Sequence, residues 1–280
     1  MSDQWKVMLG LRYDDFSQTV TNRKNDPATV SKSDETALSP RFGVTYEASN
    51  NVSIYASYAE GFGPNSGADA SGNTFDPEES KSYEVGMKIS SMEGRLNTTI
   101  ALFKMEKSNI LTADPVNAGE SAALGEAESE GLEIDVTGEL PDSVDMVFSY
   151  VYVDAGTTTD LYNFDWEVNL PAGSELINIP KSSANLMLTK KLNINGADAT
   201  ISFTVNYVDD RLVETIDPTY RLSVYTLVKL FGSYQLNDQV KLTMNIDNVF
   251  DEKHYVSSYH KWWTTPGTPT SYVMGVTYAF

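Results

Sequence analysis

The chain closes on Ser271 to Phe280, SYVMGVTYAF, and neither face of that stretch suits a water-soluble sheet. Tyr272, Met274, Val276, Tyr278 and Phe280 fall on one face of an extended strand. Ser271, Val273, Gly275, Thr277 and Ala279 fall on the other. A soluble strand hides its large face in a core and shows charges on the opposite one. Here no side chain on either face is charged. Large and apolar on one side, small on the other, suits a strand with one face in lipid and one lining a wide lumen.

Period-two alternation recurs along the whole chain. It predicts strands at about 4–16, 37–48, 51–62, 79–91, 95–111, 128–140, 144–156, 180–192, 198–210, 219–236, 239–250 and 270–280, twelve in all. Connections rich in turn formers, such as Ser49-Asn50-Asn51, Met92-Glu93-Gly94, Pro141-Asp142-Ser143, Asn193 to Gly196 and Asn237-Asp238, are short. Those at about 17–36, 63–78, 112–127, 157–179, 211–218 and 251–269 are long, and the two kinds strictly alternate. Short periplasmic turns and long extracellular loops are the signature of a membrane barrel, and an even strand count places both termini on the periplasmic side. Prolines are expected only in loops, turns and the first residues of strands.

The faces agree. Tyr83, Val85, Met87 and Ile89 oppose Ser82, Glu84, Gly86 and Lys88. Leu132, Ile134 and Val136 oppose Gly131, Glu133, Asp135 and Thr137. Ile201, Phe203, Val205 and Tyr207 oppose Ser202, Thr204 and Asn206. Charges such as Glu84 and Asp135 are costly against lipid and cheap in a wet lumen. Strand 144–156 sets Val147, Val151 and Val153 against Phe148, Tyr150 and Tyr152, and its faces stay unassigned.

Composition narrows the class. The mean hydropathy of −0.31 and the lack of any window near 18 apolar residues exclude a helical membrane protein, but not a barrel. Sixteen tyrosines against eleven phenylalanines fit interfacial girdles. With no cysteine there is neither disulfide nor thiolate metal site. A formal charge of −19 leaves no basic face for nucleic acid. It reads as solvation of long loops, or as loops at an anionic surface bridged by divalent cations. The first residues, MSDQWKVMLG, lack the basic and apolar regions of a signal peptide, so a mature or partial chain is expected.

Four stretches resemble the C-terminal barrel part of TonB-dependent outer-membrane receptors, most closely the ferric-siderophore type. They are LSPRFGVTYEASNNVSIYASYAEGF (38–62), GEAESEGLEIDVTGEL (125–140), NIDNVFDEKHY (245–255) and PGTPTSYVMGVTYAF (266–280). The third resembles a family motif, here Asn248, Phe250, Asp251 and Tyr255. The fourth ends on the terminal aromatic, Phe280, similar to that of bacterial outer-membrane barrels. Thr270 follows Pro269 where the family commonly carries Arg.

The resemblance implies an all-β, antiparallel meander transmembrane β-barrel. Residues 1–280 would supply about twelve strands of a 22-stranded barrel, with the plug domain absent. It implies an outer-membrane receptor fragment for TonB-dependent uptake of ferric siderophores, the chelate being a transported ligand and not a cofactor. Partners would be outer-membrane lipid, the barrel-assembly machinery through the C-terminal strand, and TonB only through the missing plug. Twelve strands cut from a larger barrel would leave two open edges, costly in lipid, so the piece would reclose or be unstable alone. A stand-alone passive pore, porin or autotransporter-like, is the alternative. A soluble β-rich binding protein is the third reading.

Catalytic constellations are absent from the sequence: no nucleophile elbow, P-loop or dinucleotide fingerprint occurs. His254 and His260, near Asp251 and Glu252, are the only histidines and read as solvated, not as a metal site. Ligand contact is expected from loop aromatics, since long loops alone can shape a mouth and large rings give much contact area per ordered side chain. These are Tyr162 and Trp166 in one loop, and Tyr259, Trp262 and Trp263 with His260 in another. The bland alternative for the same rings is a girdle or loop-on-loop packing. Asn248 and Asp251 at a strand exit are expected to set a turn.

Overall fold

The computed structural model describes residues 4–23, 29–114, 116–117, 119–163, 167–214 and 217–280, and no side chain of Asn22, Thr29, Asn163 or Tyr259. Its strands are β1 (Trp5–Asn22), β2 (Thr29–Ser49), β3 (Val52–Gly63), β4 (Glu78–Ser91), β5 (Leu96–Ala113), β6 (Ser121–Leu140), β7 (Val144–Thr157), β8 (Leu161–Asn163), β9 (Val168–Leu170), β10 (Ser182–Ile194), β11 (Ala197–Val208), β12 (Arg211–Leu212), β13 (Arg221–Leu222), β14 (Tyr225–Gln235), β15 (Val240–Asp247), β16 (Tyr255–His260), β17 (Trp263–Pro266) and β18 (Ser271–Tyr278). Twelve of them form one antiparallel meander in the order β1-β2-β3-β4-β5-β6-β7-β10-β11-β14-β15-β18. The other six make three small hairpins, β8–β9, β12–β13 and β16–β17, inside long loops. The twelve expected strands are thus all present, and β1 and β18 are the edges of the sheet.

Several boundaries differ from expectation. The hairpin β1–β2 runs on to Asn22 and Thr29, and β6 starts at Ser121, not near 128, so two supposed long loops are largely strand. Conversely β14 starts at Tyr225, not near 219, because 221–222 pairs with 211–212 instead. Pro40 consequently lies well inside β2, opposite Leu11. It is tolerated because the partners of β2 on β3 begin only at Arg41, so one edge of Pro40 carries no ladder.

Facing residues of an antiparallel pair share a face. The register therefore assigns β7: Phe148, Tyr150 and Tyr152 face Val136, Ile134 and Leu132 of β6 on the apolar side, and Val151 and Ser149 lie beside Glu133 and Asp135 on the polar side. The polar face is knit by its own contacts. The Tyr55 hydroxyl donates to Glu84 at 2.6 Å, and the Lys88 ammonium sits 5.3 Å over the Tyr55 ring. Gly86 makes room for that ring, since a Cβ there would lie 2.6 Å from it.

Aromatic pairs border the apolar face. Trp5–Tyr46 (4.7 Å between ring centres) and Tyr278–Phe280 (5.2 Å) lie at the short-turn end. Tyr58–Tyr83 (5.0 Å) lies toward the long loops. Beyond the latter, charges return, with Lys104 set 3.4 Å from Glu106 and 2.9 Å from Glu128.

The strands are tilted. The row of facing residues that starts at Trp5 and Tyr46, by the short-turn end, passes through Ile54, Ile134 and Tyr150. It reaches Tyr207 at the long-loop end of β11. Climbing about one residue per strand at ~3.3 Å rise and ~4.8 Å spacing gives a slope of roughly 35–40°, the tilt of a closed membrane barrel.

Candidate functional site

At the long-loop end, β12–β13, β16–β17 and the segment 171–181 pack into one assembly. It holds the densest core of the described residues: Leu212, Val213 and Leu222 are buried there. Leu212-Val213 is short and apolar, and β13 supplies the strand that covers it, with Val213 donating to the Tyr220 carbonyl at 3.2 Å. Asp217 fixes the turn between them. It accepts from the Thr219 hydroxyl (2.6 Å) and amide (3.1 Å), and these bonds hold its carboxyl below the usual range.

Polar side chains tie the hairpins together. Asn178 donates its backbone N–H to the Leu212 carbonyl at 2.9 Å. Its side chain donates to the Ser258 carbonyl (2.5 Å) and accepts the Ser258 amide (2.9 Å), so one residue stitches 171–181 to both hairpins. Arg211, 2% exposed, donates to the Tyr255 carbonyl and lies 5.4 Å over the Tyr225 ring.

Glu214, 3% exposed, accepts the Lys261 backbone N–H at 3.1 Å and lies 3.2 Å from His260 Nε2. Its other oxygen is 4.0 Å from the Lys261 ammonium, too far for a hydrogen bond. Arg221 grips Glu175 bidentately (2.9 and 2.8 Å) and also pairs with Asp210. The bonds to Glu175 raise the guanidinium pKa above its already high value, against burial.

This assembly holds out the tip of β16–β17. Trp262 and Trp263 are 82% and 72% exposed, and the Trp262 ring meets His260 edge-on at 5.5 Å. Of the expected contact residues, His260, Trp262 and Trp263 therefore come together. Tyr162, on β8, lines a hollow of about 180 Å³ with Thr112, Ala113, Leu124 and Asn169. Trp166 and the Tyr259 side chain lie outside the described residues.

Below the tip, Asn248 is 4% exposed and closes a turn. Its amide donates to the carbonyls of Glu252 and Thr268, both at 3.0 Å, and its oxygen accepts the Glu252 amide at 2.8 Å. Asp251 accepts the Thr270 amide at 3.0 Å, and the Thr270 hydroxyl donates to the Asn248 carbonyl at 2.7 Å. Thr270 thus pins the start of β18 to the end of β15. The Phe250 and Tyr255 rings are exposed, as is Phe280.

The His254 ring packs on Tyr225 (4.7 Å between ring centres) and across Gly267, where any Cβ would meet it at 2.0 Å. The two histidines serve different contacts, and among the described residues no group of three or more His, Asp or Glu could hold a metal.

Sequence reasoning missed Glu175, Asn178, Asp210, Arg211, Glu214 and Arg221. The available signal was the apolar pair Leu212-Val213 flanked by charges inside a supposed solvated loop.

The family model "TonB dependent receptor-like, beta-barrel" matches residues 1–249. The metal-pseudopaline receptor CntO of Pseudomonas aeruginosa is 37% identical over 99% of this chain, which spans 39% of that receptor. The ferrichrome outer membrane transporter/phage receptor of Escherichia coli is 30% identical over 99% of the chain and 36% of that protein. The crystal structure of the siderophore receptor PiuA of Acinetobacter baumannii superposes with a TM-score of 0.83 at 24% identity, over 98% of this chain and 41% of that one. The chain thus spans about two fifths of the proteins it matches.

Proposed function

The chain belongs to the TonB-dependent receptor β-barrel family, outer-membrane receptors and not enzymes, and from that premise we propose that it is the C-terminal part of a receptor for metal chelates, ferric siderophores above all. The observation that carries this reading is the loop assembly. A barrel that only sieves solutes needs no hairpin pinned from beneath by buried Arg211 and Glu214 and by half-buried Asn178. Here the pinned hairpin presents two exposed tryptophans at the mouth. Exposed rings on a fixed backbone suit a flat, amphipathic chelate, since little ordering is left to do on binding. No covalent chemistry is asked of the protein. Relatives that bind ferrichrome or metal-pseudopaline support a chelate as the ligand class. Coupling to TonB would pass through a plug outside these 280 residues.

The test is equilibrium binding of a panel of ferric hydroxamate, ferric catecholate and metallophore complexes to the full-length receptor. Trp262→Ala with Trp263→Ala should weaken binding of the cognate chelate about tenfold or more, consistent with roughly 1–3 kcal/mol for loss of a central aromatic contact, while the folded receptor keeps its heat-shifted gel mobility. Unchanged binding together with loss of that mobility would make the two rings packing groups and sink the assignment.

A further inference from the structure

The apolar face carries one feature that chelate uptake does not use. Between the aromatic border at the short-turn end and the charges Glu60, Lys81, Lys104 and Glu130 toward the loops, Lys190 is the one charged side chain on that face among the described residues. This follows from the register: Lys190 lies opposite Ile201 of β11 on one side and Val144 of β7 on the other, both apolar-face positions. Val144 is the first residue after the short turn Pro141–Ser143, and β10 ends at Ile194, so Lys190 sits near the periplasmic end of the wall. Its neighbour Lys191 points to the polar face and meets Asp145 at 3.2 Å. Lys190 has no ion-pair partner among the described residues.

Beside Lys190 a groove of about 530 Å³ opens in the same face. Its floor is made by the small residues Ala199 and Gly232, and its walls by Leu192, Ile201, Tyr234 and Met274. Ile201, the direct partner of Lys190, is also the direct partner of Gly232, so cation and groove are adjacent. Strand tilt makes the row Lys190–Ile201–Gly232–Met244–Met274 climb away from the periplasmic rim as it crosses the sheet. The groove lies between that row and the short turns, with Leu192, Ala199, Tyr234, Leu242 and Val276 on the short-turn side, so its end at Met244 and Met274 reaches furthest into the hydrocarbon.

We propose that this is a specific site for one anionic glycerophospholipid of the inner leaflet of the outer membrane, its phosphate on Lys190 and one acyl chain over Ala199 and Gly232. Charge complementarity selects the occupant. An outward lysine in lipid brings its ammonium to the interface, where phosphodiesters are the abundant anions, and its apolar stem joins the groove wall. Lipopolysaccharide occupies the opposite leaflet and cannot reach this rim. The proposal does not depend on what the mouth carries.

Native mass spectrometry of the full-length receptor, delipidated and then incubated with dioleoylphosphatidylglycerol, reads the site. The wild type should hold one lipid at collision energies that strip the rest. Lys190→Gln should lower its occupancy about fivefold or more, and Lys190→Arg should restore it. Gly232→Phe should have the same effect as Lys190→Gln by filling the groove, since nothing lies within 4 Å of a Cβ built there. Glycerol phosphate should not compete, because it lacks the chain, and dioleoylglycerol should not be held, because it lacks the phosphate. Equal occupancy in wild type and Lys190→Gln, or equal retention of dioleoylglycerol, would overturn the proposal. If Gly232→Phe does not fold, Lys190→Gln against Lys190→Arg decides alone.

Discussion

The barrel wall and the loop assembly above it are built on opposite principles. In the wall almost nothing is deeply buried. Its side chains point to one face or the other of a single layer, and each strand is bonded to its neighbours in sequence along the meander. In the loop assembly, segments 44 to 80 residues apart are tied by buried and half-buried polar groups: Asn178 to Ser258, Arg211 to Tyr255, Glu214 to Lys261 and Arg221 to Glu175. The wall needs only the right alternation and the right turns, because its apolar face needs no core of its own in a membrane and the ladder satisfies its backbone. The assembly stands in water and has to make its own core, so it depends on particular partners. The wall tolerates change within a class of side chain, and the assembly does not.

The largest expected effect tests the wall. In the full-length receptor, Ile134→Arg puts a charge near mid-wall on the apolar face and should cost roughly 2–4 kcal/mol. Asp135→Leu, one residue along and on the polar face, should stay within about 1 kcal/mol. Urea midpoints of the refolded receptor in detergent measure both, and equal costs would mean that the two faces do not differ in solvent as described.

The next effect separates the two regions. Glu214→Ala removes the buried carboxylate that accepts the Lys261 amide and should cost the loop assembly roughly 1.5–3 kcal/mol. Proteolytic cleavage at the Lys261–Trp263 tip should rise by about tenfold or more while the urea midpoint of the wall holds, as expected of a locally opening unit. A midpoint that falls in step with the cleavage would make wall and loops one cooperative body.

The smallest effect concerns a turn outside both. Asp114 accepts from the Asn117 side chain (2.9 Å) and from the backbone amides of Val116 (2.7 Å) and Asn117 (3.0 Å), which depresses its pKa. Because the folded value is the lower one, the stabilisation is fully present above the unfolded value near ~3.9 and is lost as pH falls through the folded value. Carboxyl chemical shifts of Asp114, followed by NMR from pH 5 downward, should give a midpoint below that of an unstructured Asp. A midpoint at or above it would mean that these bonds do not hold the turn.

Where these contrasts stand, they also explain what could be read in advance. The twelve strands, their faces at Tyr83–Ile89, Leu132–Val136 and Ile201–Tyr207, and the alternation of connections were legible because each depends on neighbours within one hairpin. Pairing Trp262 and Trp263 with His260 was legible for the same reason, all three lying within four residues. Tyr162 was chosen as a loop aromatic in a different loop, and the hollow that it lines with Thr112 and Leu124 could not be read from its neighbours in sequence. Glu214 and Asn178 gave no local sign of their role, since an acid and an amide in loops are ordinarily solvated.

By itself, the sequence determined the architecture: a period of two, an uncharged terminal strand and turn residues at alternating spacing leave few folds other than a membrane barrel. Only the tertiary structure decided which face of β7 continues the apolar face, how far β1–β2 and β6 extend, and which loop segments close over Leu212 and Val213. Those outcomes turn on the register between strands and on side chains meeting across 44 to 80 residues. Alternation sets the two faces of one strand, but it says nothing of what stands beside it.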